Sequence, residues 1–412
     1  MASEASDNMR HQPFFTELAA LQGDDPSWRA VTAGLVVLRL VDAWVEEGSR
    51  VVAADSWGVR SVRAAIEDMP SGTPARTLLA GVVDALTSAR GRDLHAVAPK
   101  LMAYARSLDL DARWSLAADV YETILAHVHP VEDADVAVNA LLRRGHCLRQ
   151  MGCLTEASVV YETAADVAVR VNDMIGTLRA RIGEAKVLAE KGNLPAADEM
   201  LRSAAALAGE YSLSEVRSAA THDRAHVAIL RGQYDAAVRF AYDAMRESPN
   251  EHERERILND LATAFSALGV KSAARDAFTI IAGTAREQYL QWTATINLME
   301  LAADEGARLL FERHRQQLAS TALPPLLQVH FELHVGRGYQ AMGEWELAQS
   351  WLERAAGSAA SHSFNKLVFE AEDALSRNTR HEQRVPAVAL EVPEDVGQIA
   401  NEIRELRELA GV

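Results

Sequence analysis

The sequence predicts an all-α protein built from antiparallel helix hairpins stacked in tandem, and two observations carry that expectation. First, 49% of the 412 residues are hydrophobic while only 6% are aromatic, and an Ala- and Leu-rich chain of this kind favours helices over sheets. Second, one phrase recurs: "QMGCLTEASVVYETAA", "EKGNLPAADEMLRSAA", "LRGQYDAAVRFAYDAM", "ALGVKSAARDAFTIIA" and "AMGEWELAQSWLERAA". Each copy is a glycine turn opening a helix. The glycines are Gly152, Gly192, Gly232, Gly269 and Gly343, spaced 40, 40, 37 and 74 residues apart. The last interval is twice 37, so a degenerate copy is expected at Gly306.

Residue sizes repeat after each turn. Bulk stands at +2 (Leu154, Leu194, Tyr234, Trp345), alanine at +5 (Ala157, Ala197, Ala237, Ala274, Ala348) and bulk at +9 (Tyr161, Leu201, Phe278, Leu352). These positions share one helical face, where alanine lets a neighbouring helix approach closely. Seven residues before the turn a second small position recurs (Gly145, Ala185, Ala225, Ala262, Gly336), the matching hole on the partner helix. One step upstream, Ala112 stands at the turn, with Trp114, Ala117, Tyr121 and Ile124 fitting the template. Around Gly72 the template fails at Pro74, Thr77 and Gly81, so the array is expected to start near residue 93.

The organisation expected in chain order is then as follows. Residues 1–26 form an N-terminal tail, and 27–92 a divergent helical cap with Trp28, Trp44 and Trp57 available for its core. Seven hairpins cover 93–362, turning near 112, 152, 192, 232, 269, 306 and 343. A capping helix spans 363–377, a polar, proline-interrupted linker 378–393, and an amphipathic helix 394–412 carries Ile399, Ile403, Leu406 and Ala410 on one face. That face is expected to dock on the solenoid or trail free, with homodimerisation the alternative.

A formal charge of −16 argues against nucleic acid or anionic membrane as a general partner, because both demand clustered cations. No basic recognition helix marks a DNA reader. The longest apolar stretch, GLVVLRLVDAWV, is broken by Arg39 and Asp42, so neither a signal peptide nor a membrane span is expected. Cys147 and Cys153 are too few for a disulfide framework and suit a reducing cytoplasm. In "QVHFELHVGRG", His330 and His334 have the i, i+4 spacing of zinc ligands, but Glu332 stands one residue too late to serve a metal-bound water. With no phosphate loop, dinucleotide fingerprint or nucleophile elbow, no enzyme, cofactor or metal is expected.

The order of small, small, aromatic and small residues in each hairpin resembles the tetratricopeptide repeat family, over about residues 93–360, with a period of 37–40 rather than about 34. Units of this length resemble the helical sensor domains of bacterial transcription activators. The resemblance implies a right-handed superhelical solenoid whose first helices line a concave groove, and such grooves bind peptides or proteins.

Within each first helix, positions −13, −10, −6 and −3 from the turn form one face. They supply Asn139, Arg179, Arg256 and His330 at −13, and Leu142 and Ile182 at −10. Position −6 adds His146, Lys186, His226 and Arg337, and −3 adds Arg149. This face is basic with little acid, so an acidic peptide segment is the expected ligand. At −8, Arg144, Glu184 and Arg224 are expected to form an alternating salt-bridge column. The function expected is a non-catalytic binding scaffold in the cytoplasm. The alternative is a sensor of a peptide or small anion that controls a transcription factor or other effector.

Overall fold

The computed structural model describes residues 10–21, 25–46, 52–88, 94–362, 364–382 and 392–412, and among these it holds twenty helices and no strand. None is long and apolar enough to cross a membrane. The chain divides into two compact units, residues 1–191 and 192–412.

The first unit contains α1 (Gln12–Ala20), α2 (Pro26–Glu46), α3 (Trp57–Glu67), α4 (Pro74–Thr87), α5 (Leu94–Leu110), α6 (Trp114–His127), α7 (Ala134–Gln150), α8 (Leu154–Arg170) and α9 (Met174–Glu190). The second contains α10 (Leu194–Glu210), α11 (Ser214–Leu230), α12 (Tyr234–Glu247), α13 (Glu251–Leu268), α14 (Lys271–Thr284), α15 (Gln288–Asp304), α16 (Arg308–Ala319), α17 (Pro325–Ala341), α18 (Trp345–Ser361), α19 (Asn365–Thr379) and α20 (Glu394–Ala410). Neighbouring helices in the chain pack side by side within each unit.

Residue 112 and the six turn glycines all sit at positive φ, from 57° at Ala112 to 87° at Gly269. All but Gly192 are seen to close the first helix in the same way. At Gly152, for example, the glycine N–H donates to the Arg149 carbonyl (3.0 Å) and the next N–H, of Cys153, donates to Leu148 (2.9 Å). This pair of hydrogen bonds satisfies carbonyls at the helix end and requires a left-handed residue, which glycine supplies without a Cβ clash.

The small positions are where the paired helices touch. Ala157, Ala197, Ala237, Ala274 and Ala348 are fully buried. A Cβ on Gly145 would come within 2.9 Å of the Tyr161 ring, and one on Gly336 within 2.7 Å of Leu352. The bulky +9 side chain of the second helix therefore fills the space left by the small −7 residue of the first.

Residues 12–20 correct the expectation of an N-terminal tail. They form α1, with Phe14 fully buried in the core that also takes Trp44 and Tyr104. A buried charge cluster pins the helix. His11 Nδ1 donates to Asp119 (2.8 Å), while Asp42 faces His11 Nε2 (3.3 Å), His127 Nε2 (3.0 Å) and Arg10 (3.0 Å). Burial pushes the His11 pKa down, but its hydrogen bonds to Asp119 and Asp42 outweigh that and raise it to about 9. Burial likewise opposes the Asp42 charge, and the bonds from His11, His127 and Arg10 hold its pKa well below the carboxylate range. Trp57, expected in this core, is 78% exposed at the first position of α3.

At the other end of the chain, the expected linker is outside the described residues over 383–391, and the capping helix is α19. The apolar face of α20 is already in use: Val396, Ile399 and Ile403 are buried in the core of α12 and α14. Arg239 pairs with Asp395, Tyr242 donates to Glu402, and Arg407 donates to Asp276 (2.6 Å). This corrects the homodimer expectation, since the stripe proposed for a second copy is covered by the chain itself; only its end, including Leu406, is exposed.

Two outcomes follow from these contacts. Gly336→Val should destabilise the second unit by about 1–3 kcal/mol through overpacking against Leu352, while Ala112→Gly should stabilise the first by up to about 1 kcal/mol by relieving left-handed strain; urea unfolding monitored by circular dichroism measures both. The stability from His11, whose pKa rises from 6.5 on unfolding to about 9 in the fold, is complete below pH 6.5 and lost as the pH rises through 9. The thermal midpoint should fall between those values, and His11→Gln should flatten the slope; an unchanged slope in that variant would contradict the assignment.

Candidate functional site

The first helices carry the half-exposed polar side chains of each unit. In the first unit these helices are α5, α7 and α9. Arg149 pairs with Glu190 and lies 3.3 Å from His146 Nδ1, and His146 Nε2 faces Asp109 at 3.3 Å. Asn139 is exposed and donates to the Asp135 carbonyl of its own helix (2.9 Å). Arg179 is exposed and Lys186 half-buried. Leu142 packs against the core cluster and Ile182 is buried, so neither offers the open apolar floor expected of them.

In the second unit the same arrangement runs through α11, α13, α15, α17 and α19. His222 pairs with Asp260 (2.7 Å), Arg256 with Glu287 (3.8 Å), His334 with Glu300 (3.1 Å), and Arg337 with Glu370 (3.4 Å). His226 is exposed. Burial raises the Asp260 pKa, but the His222 hydrogen bond and nearby His226 outweigh it and keep the carboxylate ionised. His330 stacks on His334 with ring centroids 6.3 Å apart. Burial first, then His334, Lys366 and Arg337, push its pKa down to about 4, so it is neutral at neutral pH.

Two expectations are corrected here. The face is not a basic trough: Asp109, Glu190, Asp260, Glu287, Glu300 and Glu370 from adjoining first helices interleave with its cations. These acids lie at different repeat positions from the bases they meet, so a count along one position misses them. The alternating column at −8 is replaced by pairs to the preceding second helix, Arg144 with Glu122 (2.9 Å) and Arg224 with Asp198 (2.9 Å). At Glu184, burial and then Glu162 raise the carboxyl pKa.

Sequence reasoning also missed the middle of this face. His222, Asn259, Asn297 and His334, all half-buried, stand near the midpoints of four successive first helices. The Oδ1 of Asn259 is buried without a hydrogen-bond partner, while its Nδ2 reaches Asp260 at 3.3 Å. A signal was present: the −10 position carries Leu142 and Ile182 in earlier hairpins and His222 and Asn259 in later ones.

Glu332 points away from the histidine pair, accepting from Gln328 (2.9 Å) and Arg354 (3.0 Å) on the α18 side. Among the described residues no group of three or more His, Cys, Asp or Glu side chains is arranged to hold a metal ion.

No family model and no curated protein matches the sequence. Solved structures do match. The Rap conjugation gene regulator of plasmid pLS20, in complex with the Phr* peptide, aligns at a TM-score of 0.50 and 13% identity over 86% of this chain and 98% of that one. The chain has the tetratricopeptide-like repeat fold. A Rap protein complexed with Competence and Sporulation Factor aligns at 0.44 and 13% identity, over 90% of this chain and 98% of its own. A signal-transduction ATPase with a tetratricopeptide repeat sensor, from Pyrococcus horikoshii, aligns at 0.41 and 12%, over 96% of this chain and 59% of its own.

Proposed function

We propose that this protein is a non-catalytic scaffold whose first-helix face binds an extended peptide or protein segment. The observation that carries the proposal is the mid-helix row of the second unit, His222, Asn259, Asn297 and His334, with a buried Asn259 side-chain carbonyl oxygen that none of the described residues satisfies. A buried acceptor without a partner costs about 1–3 kcal/mol, and a peptide N–H is a group that recovers it. Asparagine amides donate and accept at once, which suits the alternating N–H and C=O groups of an extended backbone.

The ligand-binding set is drawn from the same faces: Asn139, His146, Arg149, Arg179 and Lys186 in the first unit, with Leu142 and Ile182 packed inward beneath them, and His226, Arg256, His330 and Arg337 in the second. With acids interleaved among these cations, the ligand class is broader than an acidic segment: a peptide of mixed charge satisfies the face by exchanging with its ion pairs. The solved regulator that shares the fold is described in complex with a peptide, which supports a second reading, that binding here controls an effector.

A random peptide display library, selected on the wild type and rescreened on Asn259→Ala/Asn297→Ala, tests the proposal. Selected peptides should bind the variant at least tenfold more weakly, and equal binding would place them elsewhere. Small-angle scattering with a selected peptide separates the readings: an altered profile supports the effector-controlling regulator, an unaltered one the rigid scaffold.

A further inference from the structure

Away from the first-helix face, a cleft of about 430 Å³ opens between the second helices α10 and α12, floored by α11. Arg202, Arg217 and Arg224 line it with Phe240, and the small residues Ala205 and Thr221 leave it open. We infer that this cleft is a binding site for an anionic group, a carboxylate or a phosphate.

The repeat itself provides the comparison. Eighty residues earlier, the positions of Ala205, Thr221, Phe240 and Glu247 carry Leu125, Leu141, Val160 and Val167. There the last three are buried, Leu125 packs against the core, and Arg144 meets Glu122, which stands at the position of Arg202. The backbone plan is shared, so the change from a closed seam, where Glu122 meets Arg144, to an open one, where Arg202 takes the glutamate's place and Arg224 turns to Asp198, lies in the side chains. The change gives up the buried Leu141 and Val167 contacts, keeps an apolar contact through Phe240, and places Arg202 and Arg224 around one space, an arrangement that an anion stabilises.

The cations are set for such a ligand. The Arg224 guanidinium lies 4.2 Å over the Phe240 ring and its Nε donates to Asp198 (2.9 Å), which fixes the plane of the fork. Arg217 meets Glu247 at 3.0 Å with 50% of its side chain exposed, and Arg202 pairs, among the described residues, with Glu199 of its own helix, both more than 60% exposed. Exposed pairs of this kind are weak and exchangeable. The next cleft along, between α12 and α14, shows the same chemistry filled: α20 lies on it, and Glu402 accepts from Tyr242, which stands ten residues after its turn glycine, as Arg202 does after Gly192.

Isothermal titration of the full chain with inorganic pyrophosphate and with citrate, at constant ionic strength, tests the site. One saturable site per chain is expected for at least one probe, weakened at least tenfold in Arg202→Gln/Arg217→Gln and strengthened in Asp243→Asn, which removes an acid from the lining. Tighter pyrophosphate binding assigns a phosphate, tighter citrate binding a carboxylate. Absence of saturable binding by the wild type, or equal affinity in the arginine variant, would overturn the proposal. The peptide-binding row shares α11 with the cleft through His222, but Arg202, Arg217 and Asp243 belong to neither that row nor its ligand set, so the two tests use different variants and fail independently.

Discussion

The fold depends on one exchange of volume, repeated in five of the seven hairpins: a glycine or alanine on the first helix receives a bulky side chain from the second. Tyr161 over Gly145 and Leu352 over Gly336 show it most directly. Close approach lets backbone and side chain pack without voids at roughly the density of an organic crystal, and the left-handed turn residue sets the second helix at the angle that makes the approach possible. With both constraints met, the other faces of each helix are free to vary. The first-helix face varies in polarity, and the second-helix clefts vary in what fills them.

That freedom explains why charge sits where it does. Adjoining first helices stand close enough for side chains to bridge them, so His222, Arg256 and Arg337 meet acids of the following first hairpin arm and His334 meets Glu300 of the preceding one. Such pairs are half-exposed and contribute modestly to stability, but they hold the polar row in register. The second-helix side is closed differently in each place: by leucine and valine in the first unit, by α20 across α12 and α14, and by arginines around an open space at α10 to α12.

The turns and the core were legible in the sequence because both are written in residue size at fixed spacing. Size is a local property, and a repeat multiplies the signal. The first-helix face was legible only in part. Charges at one repeat position were read correctly as types, but their partners lie on other helices at other positions, as Glu287 does for Arg256, and a pattern along a single helix does not contain that pairing. Helix α1 escaped notice for a similar reason. Its anchor, His11, is held by Asp42 and Asp119, more than thirty and one hundred residues away. The docking of α20 also depends on distant residues, although its apolar stripe was visible.

The central claim is that the partner is held by the first-helix face of the second unit, whose middle row offers a peptide backbone both donors and acceptors. Site-specific photo-cross-linking tests it most directly. A benzophenone side chain at Thr263, exposed on α13, should capture a library-selected peptide, and one at Leu309, 88% exposed on the second helix α16, should not. Capture at Leu309 without capture at Thr263 would contradict the claim.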